Sequence, residues 1–158
     1  MIELVPLRAS HADELAGLLA EPQLREWLRA DDVAGLRRRF EGWETGRSPD
    51  GRQLWLNWLI RSLPDRRTVG WMQATVESEG AEVAYALLPE ERGRGLAAEA
   101  LRTAIGELRE VHGVERFEAH IDDANVASQR VAAAAGFTRS DRTDAGEAVW
   151  TVAVGSAT

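Results

Sequence analysis

Apolar and polar positions alternate along Ile2-Glu3-Leu4-Val5-Pro6-Leu7, the two-residue period of a strand. The spacing then lengthens to the three and four of a helix at Ala12, Leu15, Leu18 and Leu19, with Ser10 placed to cap it. Pro22 opens another helical turn through Trp27 and Leu28. Asp31 and Asp32 put negative charge at the start of a helix whose apolar positions are Val33, Leu36, Phe40 and Trp43. Two glycines, a proline and polar residues make 44–51 a loop.

Beyond that loop the period returns to two. Residues 53–62, 68–76 and 81–88 read as three strands joined by short turns, an antiparallel meander. The third strand carries Val83, Tyr85 and Leu87 on one face and Ala84, Ala86 and Leu88 on the other. It is therefore expected to be central and covered on both sides, with Glu82 its lone acid. The longest helical pattern follows at 96–111, with Leu101, Ile105 and Leu108 on one side and Gly113 at its end. A strand at 116–121 turns Phe117, Ala119 and Ile121 inward, a helix at 125–135 closes at Gly136, and a last strand spans 147–154. The order β-α-α-β-β-β-α-β-α-β, without repeat or linker, predicts an α/β fold in one domain over 1–158. Its mixed central sheet combines the antiparallel meander with one right-handed βαβ crossover through the long helix, and helices flank it.

Composition adds exclusions. The 158 residues are 44% hydrophobic and 28% charged, an ordinary globular balance with enough chain for a core. No stretch approaches the roughly 20 apolar residues of a spanning helix, and Met1-Ile2-Glu3-Leu4 is too short and acidic for a leader. A cytoplasmic protein without a membrane partner is expected. The absence of cysteine removes disulfides, a thiolate nucleophile and a cysteine zinc site, and His11, His112 and His120 lack metal-ligand spacing, so no metal is expected. A net charge of −7 argues against nucleic acid and suits cationic substrates.

The chemistry concentrates after the third meander strand. Arg92-Gly93-Arg94-Gly95-Leu96-Ala97 lies between a strand and a helix start, where unpaired backbone N–H groups and the positive end of a helix dipole converge on an anion. Glycine lets the main chain approach a phosphate, Ala97 keeps the helix start thin, and the arginines add charge. Residues 93–98 also satisfy the dinucleotide pattern G-x-G-x-x-A, but residues 89–92 separate them from the strand and a meander precedes them, which sets that reading aside.

Arg92-x-x-Gly95-x-Ala97 resembles the (Q/R)-x-x-G-x-(G/A) pyrophosphate motif of the GNAT acetyltransferases, whose element order matches essentially the whole chain. Asn125-Val126-Ala127-Ser128-Gln129-Arg130-Val131 followed by Ala135-Gly136-Phe137 is similar to the N-x-x-S-x-x-V…G-F block of the RimJ/RimL-like branch. The resemblance implies a GNAT-like sheet and an N-acetyltransferase moving the acetyl group of acetyl-CoA to a primary amine. The acceptor is a small molecule or a peptide: a protein N-terminus, a small amine or an aminoglycoside. The chain acts as a monomer or homodimer. By the same resemblance the cofactor lies on Leu87, Leu88, Arg92, Gly93, Arg94, Gly95, Leu96 and Ala97, with its pantetheine arm between strands 81–88 and 116–121. Asn125 and Ser128 face it, and Arg130 lies near the adenosine phosphate.

Acetyl transfer to an amine needs a base for the ammonium proton and a donor for the departing thiolate. Glu82 is the first candidate base, because burial on an apolar strand raises a carboxyl pKa, and Ala81-Glu82-Val83-x-Tyr85 resembles the catalytic-glutamate strand of some members. The alternative for Glu82 is a partly exposed strand-start acid paired with an arginine. His120, on the neighbouring strand, is the reserve base, against a solvated histidine. Many relatives carry a donor tyrosine before Gly-Phe, where this chain has Ala132. Ser128 then takes the role, unless it is a helix hydroxyl bonded to its own backbone, and Tyr85 is third. The missing tyrosine keeps open a second class, a non-catalytic acyl-CoA-binding or regulatory module. Among six tryptophans some are expected to line an acceptor pocket; Trp43 fits a core stripe, and Trp55 and Trp58 fall on opposite faces of one strand. Glu41, Glu44 and Asp50 are either attractors for a cationic acceptor or a solvated face.

Overall fold

The computed structural model describes residues 1–154. Its sheet consists of β1 (Ile2–Pro6), β2 (Leu54–Ser62), β3 (Arg67–Glu77), β4 (Gly80–Leu87), β5 (Arg116–Ile121), β6 (Thr138–Asp144) and β7 (Glu147–Ala153), in the spatial order β1-β2-β3-β4-β5-β7-β6. All neighbours are antiparallel except β4 and β5. That parallel pair is joined by the crossover helix α3 (Leu96–His112), as the sequence pattern predicts. Gly113, at φ 67°, ends α3 in the left-handed region that glycine enters without strain.

Alternation along the strands makes two apolar layers. On one face Val83, Phe117, Ala119 and Ile121 pack with Ala100, Leu101, Ala104 and Leu108 of α3 and with Ala132 of α4 (Val126–Ala134). On the other, Leu59, Trp71 and Leu88 pack with a 3₁₀ helix (Ala9–Ala20) and with α1 (Pro22–Leu28) and α2 (Val33–Trp43). Trp58 joins the first layer and Trp55 the second, on opposite faces as expected.

Three expectations need correction. Ser10 is not a cap: it lies inside the 3₁₀ helix, whose N-cap is Arg8, and the His11 Nδ1 accepts the Arg8 amide at 3.0 Å. The three-residue spacing of Ala12, Leu15 and Leu18 fits a three-residue turn, which stacks them on one buried face. Next, β4 is not covered on both sides throughout, since the Glu82 side chain is 49% exposed. In the sheet register Glu82 lies between Thr75 and Glu118, and Glu118 faces Thr151. Glu82 thus belongs to a polar row across one face rather than to an isolated position in an apolar strand. Finally, β6 was not anticipated: its Thr138-Arg139-Ser140-Asp141-Arg142-Thr143-Asp144 has no apolar alternation because it is an exposed edge strand.

Candidate active site

After β4 the chain makes a short turn and reaches the glycine loop. Gly93 and Gly95 have φ of 85° and 73°, and a Cβ built on either meets nothing within 4 Å, so the loop faces open space that side chains would strain and fill. Gly95 is the N-cap of α3, and residues 96–98 precede the first intrahelical bond, from the Glu99 amide to the Gly95 carbonyl at 3.1 Å. Their amides are available to an anion. Leu96 and Ala97 are themselves buried, so they offer main chain, not side chain.

The loop arginines are already engaged. Arg92 pairs with Glu21 and reaches the Leu87 carbonyl at 3.4 Å; Arg94 pairs with Glu91. Buried Glu91 also accepts from Arg67 at 2.5 and 3.1 Å, and those hydrogen bonds hold its carboxyl below the usual range. Arg130 is exposed on α4. The side chains of Leu87 and Leu88 are buried in opposite layers, and the Leu88 amide is taken by the Val69 carbonyl at 2.8 Å.

Between the loop and the strands runs a fork. The β4–β5 ladder covers only Ala81 with Phe117 and Glu82 with Glu118; past that the two strands diverge. The first turn of α4 meets β4 across this opening. The Tyr85 hydroxyl donates to the Ser128 carbonyl at 3.0 Å and accepts from the Ser128 Oγ at 3.1 Å. Burial raises the Tyr85 pKa. Asn125 caps α4, its Oδ1 accepting the Ser128 amide at 3.1 Å. Ala132 is fully buried and points into the core.

At the root of the fork, on the opposite face, lies a titratable cluster. The His120 Nε2 is 2.8 Å from Glu118 and 3.6 Å from Glu82, and its Nδ1 is 3.3 Å from Asp144. Arg142 holds Glu118 from the other side at 3.2 Å. Desolvation raises the Glu82 carboxyl above its ordinary range; His120 opposes this, and Glu118, Asp144 and Glu147 reinforce it. For His120 desolvation works downward, but the Glu118 hydrogen bond and the carboxylates of Glu82 and Asp144 outweigh it, so its pKa is raised. No arginine pairs with Glu82 among the described residues, so of the alternative reading the partial exposure near the strand start holds and the arginine partner does not. Donor atoms of Glu82, Glu118 and His120 lie within 4.8 Å of one another, a set able to hold a divalent cation. Strand pairing brings together what sequence separation kept apart.

Beside the cluster, on the same face, is a cavity of about 570 Å³ lined by Trp27, Trp43 and Trp55 with Gln73, Thr75, Arg29 and Arg39. Trp43 stacks on Phe40 and Trp71 with centroids 5.5 and 5.7 Å away, so it is core on one side and wall on the other. Of the acids suggested for a cationic acceptor, Glu41 is exposed, and Glu44 and Asp50 serve local structure. Glu44 accepts the Ala9 amide, and Asp50 accepts from Ser48 and from the Arg52 amide. Glu118 was missed in the sequence although it shares a strand face with His120 two residues on; that alternation was the available signal. Asp144 and Arg142 were missed with their strand.

A fork at the single parallel pair, a glycine loop at its open end and a cluster of carboxylates around His120 at its root match the architecture that the motif resemblance implies. The model of the Acetyltransferase (GNAT) domain matches residues 2–138, and the chain belongs to that family of acetyltransferases. No curated protein matches the sequence. Among solved structures, the Mycobacterium smegmatis RimJ in complex with CoA-disulfide superposes with a TM-score of 0.75 at 19% identity, covering 96% of this chain and 81% of that one. The aminoglycoside acetyltransferase AAC(6')-Ib with coenzyme A and kanamycin gives 0.75 at 16%, covering 97% and 95%. A GNAT-family acetyltransferase from Bacillus anthracis gives 0.77 at 12%, covering 96% and 94%. At these identities the likeness concerns the fold. Among the described residues no helix is long and apolar enough to cross a membrane.

Proposed function

We propose that this protein transfers the acetyl group of acetyl-CoA to a primary amine. The observation that carries the reading is the fork: its glycine loop lies at one end and its base cluster at the other, joined by the length of β4. The open space before Gly93 and Gly95, which any Cβ would occupy, fits a pyrophosphate on the amides of 93–97. Leu87, Leu88, Arg92, Arg94, Leu96 and Ala97 frame that end; Asn125 orders the α4 turn that carries Ser128, and exposed Arg130 adds charge for a terminal phosphate. When bound, the coenzyme supplies an activated thioester. Glu82 accepts the proton that the ammonium must lose before it can attack. Its raised pKa makes it a stronger proton acceptor than an ordinary carboxylate, and His120, held by Glu118 and Asp144, is the neighbour that favours its charged form. Ser128 and Tyr85 place a linked hydroxyl pair at the fork, from which a proton can reach a departing thiolate. Ala132, at the position where many relatives carry a tyrosine, offers no donor, which leaves the role to that pair.

A thiol-release assay with acetyl-CoA and an amine panel tests the reading. Stoichiometric thiol release with acetylated amine as product is expected. Coenzyme binding without release on any amine would instead indicate a non-catalytic acyl-CoA module.

A further inference from the structure

Two guanidinium groups face the tryptophan cavity without a carboxylate bonded to either. The Arg39 guanidinium carbon lies 5.3 Å from the Trp43 ring centre, and its Nε is buried with no hydrogen-bond partner among the described residues. Arg29 stands just after α1 in the left-handed region, φ 54°, and lines the same cavity. Neither forms an ion pair among the described residues. The two cations are close enough to disfavour one another, and burial disfavours Arg39 further. Glu26 is the only acid lining this wall; it is exposed, and among the described residues its carboxylate bonds neither guanidinium. An unpaired buried donor beside a second cation is costly unless an anion arrives. The floor of the cavity is β3, where Thr75 is the register partner of Glu82.

We propose that this cavity selects the acceptor, a primary amine whose far end is an anionic group, carboxylate or phosphate, on an apolar spacer. The proposal rests on the reading that Glu82 serves the amine. The row Glu82, Thr75, Trp55 crosses two strand spacings, roughly 10 Å, so several methylenes or one ring separate amine from anion. The arginines bind the anion through charge-assisted hydrogen bonds, and the tryptophan faces cover the spacer. A polycation is disfavoured by the same two charges.

The test compares ω-amino carboxylic acids of about four to eight methylenes with their primary amides, with ω-aminoalkylphosphonates and with kanamycin. Thiol release gives kcat/KM for each, and calorimetry with the amino acids alone, without coenzyme, gives an independent readout. At least one anionic series is expected to exceed the amides by tenfold or more, the better anion identifying carboxylate or phosphate. The anion-over-amide ratio is expected to fall toward one in Arg39→Gln. Arg29→Gln, on a separate element, repeats the test should the first variant misfold. Equal kcat/KM for acids and amides, or preference for kanamycin, overturns the proposal while acetyl transfer stands. Calorimetric binding of the acids that Arg39→Gln abolishes, without thiol release on any amine, upholds the anion pocket and removes the transfer reading instead. Neither binding nor turnover of any anionic amine overturns it as well.

Discussion

Glu82 is exposed on one side, yet desolvation still moves its pKa upward, the carboxylates of Glu118, Asp144 and Glu147 add to that shift, and only His120 opposes it. The sign of the activity profile follows. Protonated Glu82 accepts no proton, so turnover is lost as pH falls through a value above the ordinary carboxylate range. Removing the His120 charge takes away the one neighbour that lowers this pKa, so in His120→Gln the acidic limb moves to higher pH. Glu118→Gln removes a like charge and moves it to lower pH. In Glu82→Gln, turnover at neutral pH drops by about 10²–10⁴-fold, the range of a positioned base, and much returns at high pH as the amine deprotonates in bulk. Rate profiles of the three variants check this; an unmoved limb in His120→Gln removes the coupling, and near-normal turnover in Glu82→Gln transfers the role to His120.

The glycine loop is an element whose proposed role resides in main chain. Gly95→Val introduces a β-branched side chain at φ 73° and fills the space before the α3 amides. Calorimetry is expected to show at least a tenfold weaker coenzyme affinity in a variant that remains folded, and unchanged affinity would place the phosphates elsewhere. This loop was legible beforehand because glycine spacing between a strand and a helix has few other uses. The meander and α3 were legible for a similar reason, since their apolar periods are long and unbroken. What escaped was set by tertiary context. Edge strand β6 buries almost nothing, so no period marks it, and its turn through Ala145 and Gly146, both at positive φ, is the kind that joins paired strands. The polarity of Glu82 was read as isolation because the residues beside it, Thr75 and Glu118, come from strands distant in sequence. Arg39 on α2 and Arg29 just after α1, at ordinary polar positions, gave no sign that they share one cavity.

For the whole molecule, a formal charge of −7 repels a polyanionic coenzyme at long range, whereas in the proposed binding mode Arg92, Arg94 and Arg130 attract it at contact. With a screening length of roughly 10 Å at 0.1 M salt, the contact charges decide the equilibrium. Coenzyme affinity is expected to fall a few-fold between 0.05 and 0.5 M salt, and the slope to flatten when the three arginines become alanine; an equal slope makes them surface charge. The acids that hold Arg92 and Arg94 fix where those charges stand and keep the effect modest. The divided sheet has a consequence of another kind. Past Glu82 and Glu118, the facing edges of β4 and β5 no longer bond each other, so each strand has an inner side whose polar main-chain groups turn toward the gap. A guest with amides along its length can complete that hydrogen bonding, as a strand would, and fasten the four strands on one side to the three on the other. Occupancy then becomes mechanical: amide hydrogens of residues 83–87 and 119–121 should exchange with deuterium several-fold more slowly once coenzyme A is added, while those in the β2–β3 ladder hold their rates. If both regions slow alike, the two halves are already one rigid body without the guest.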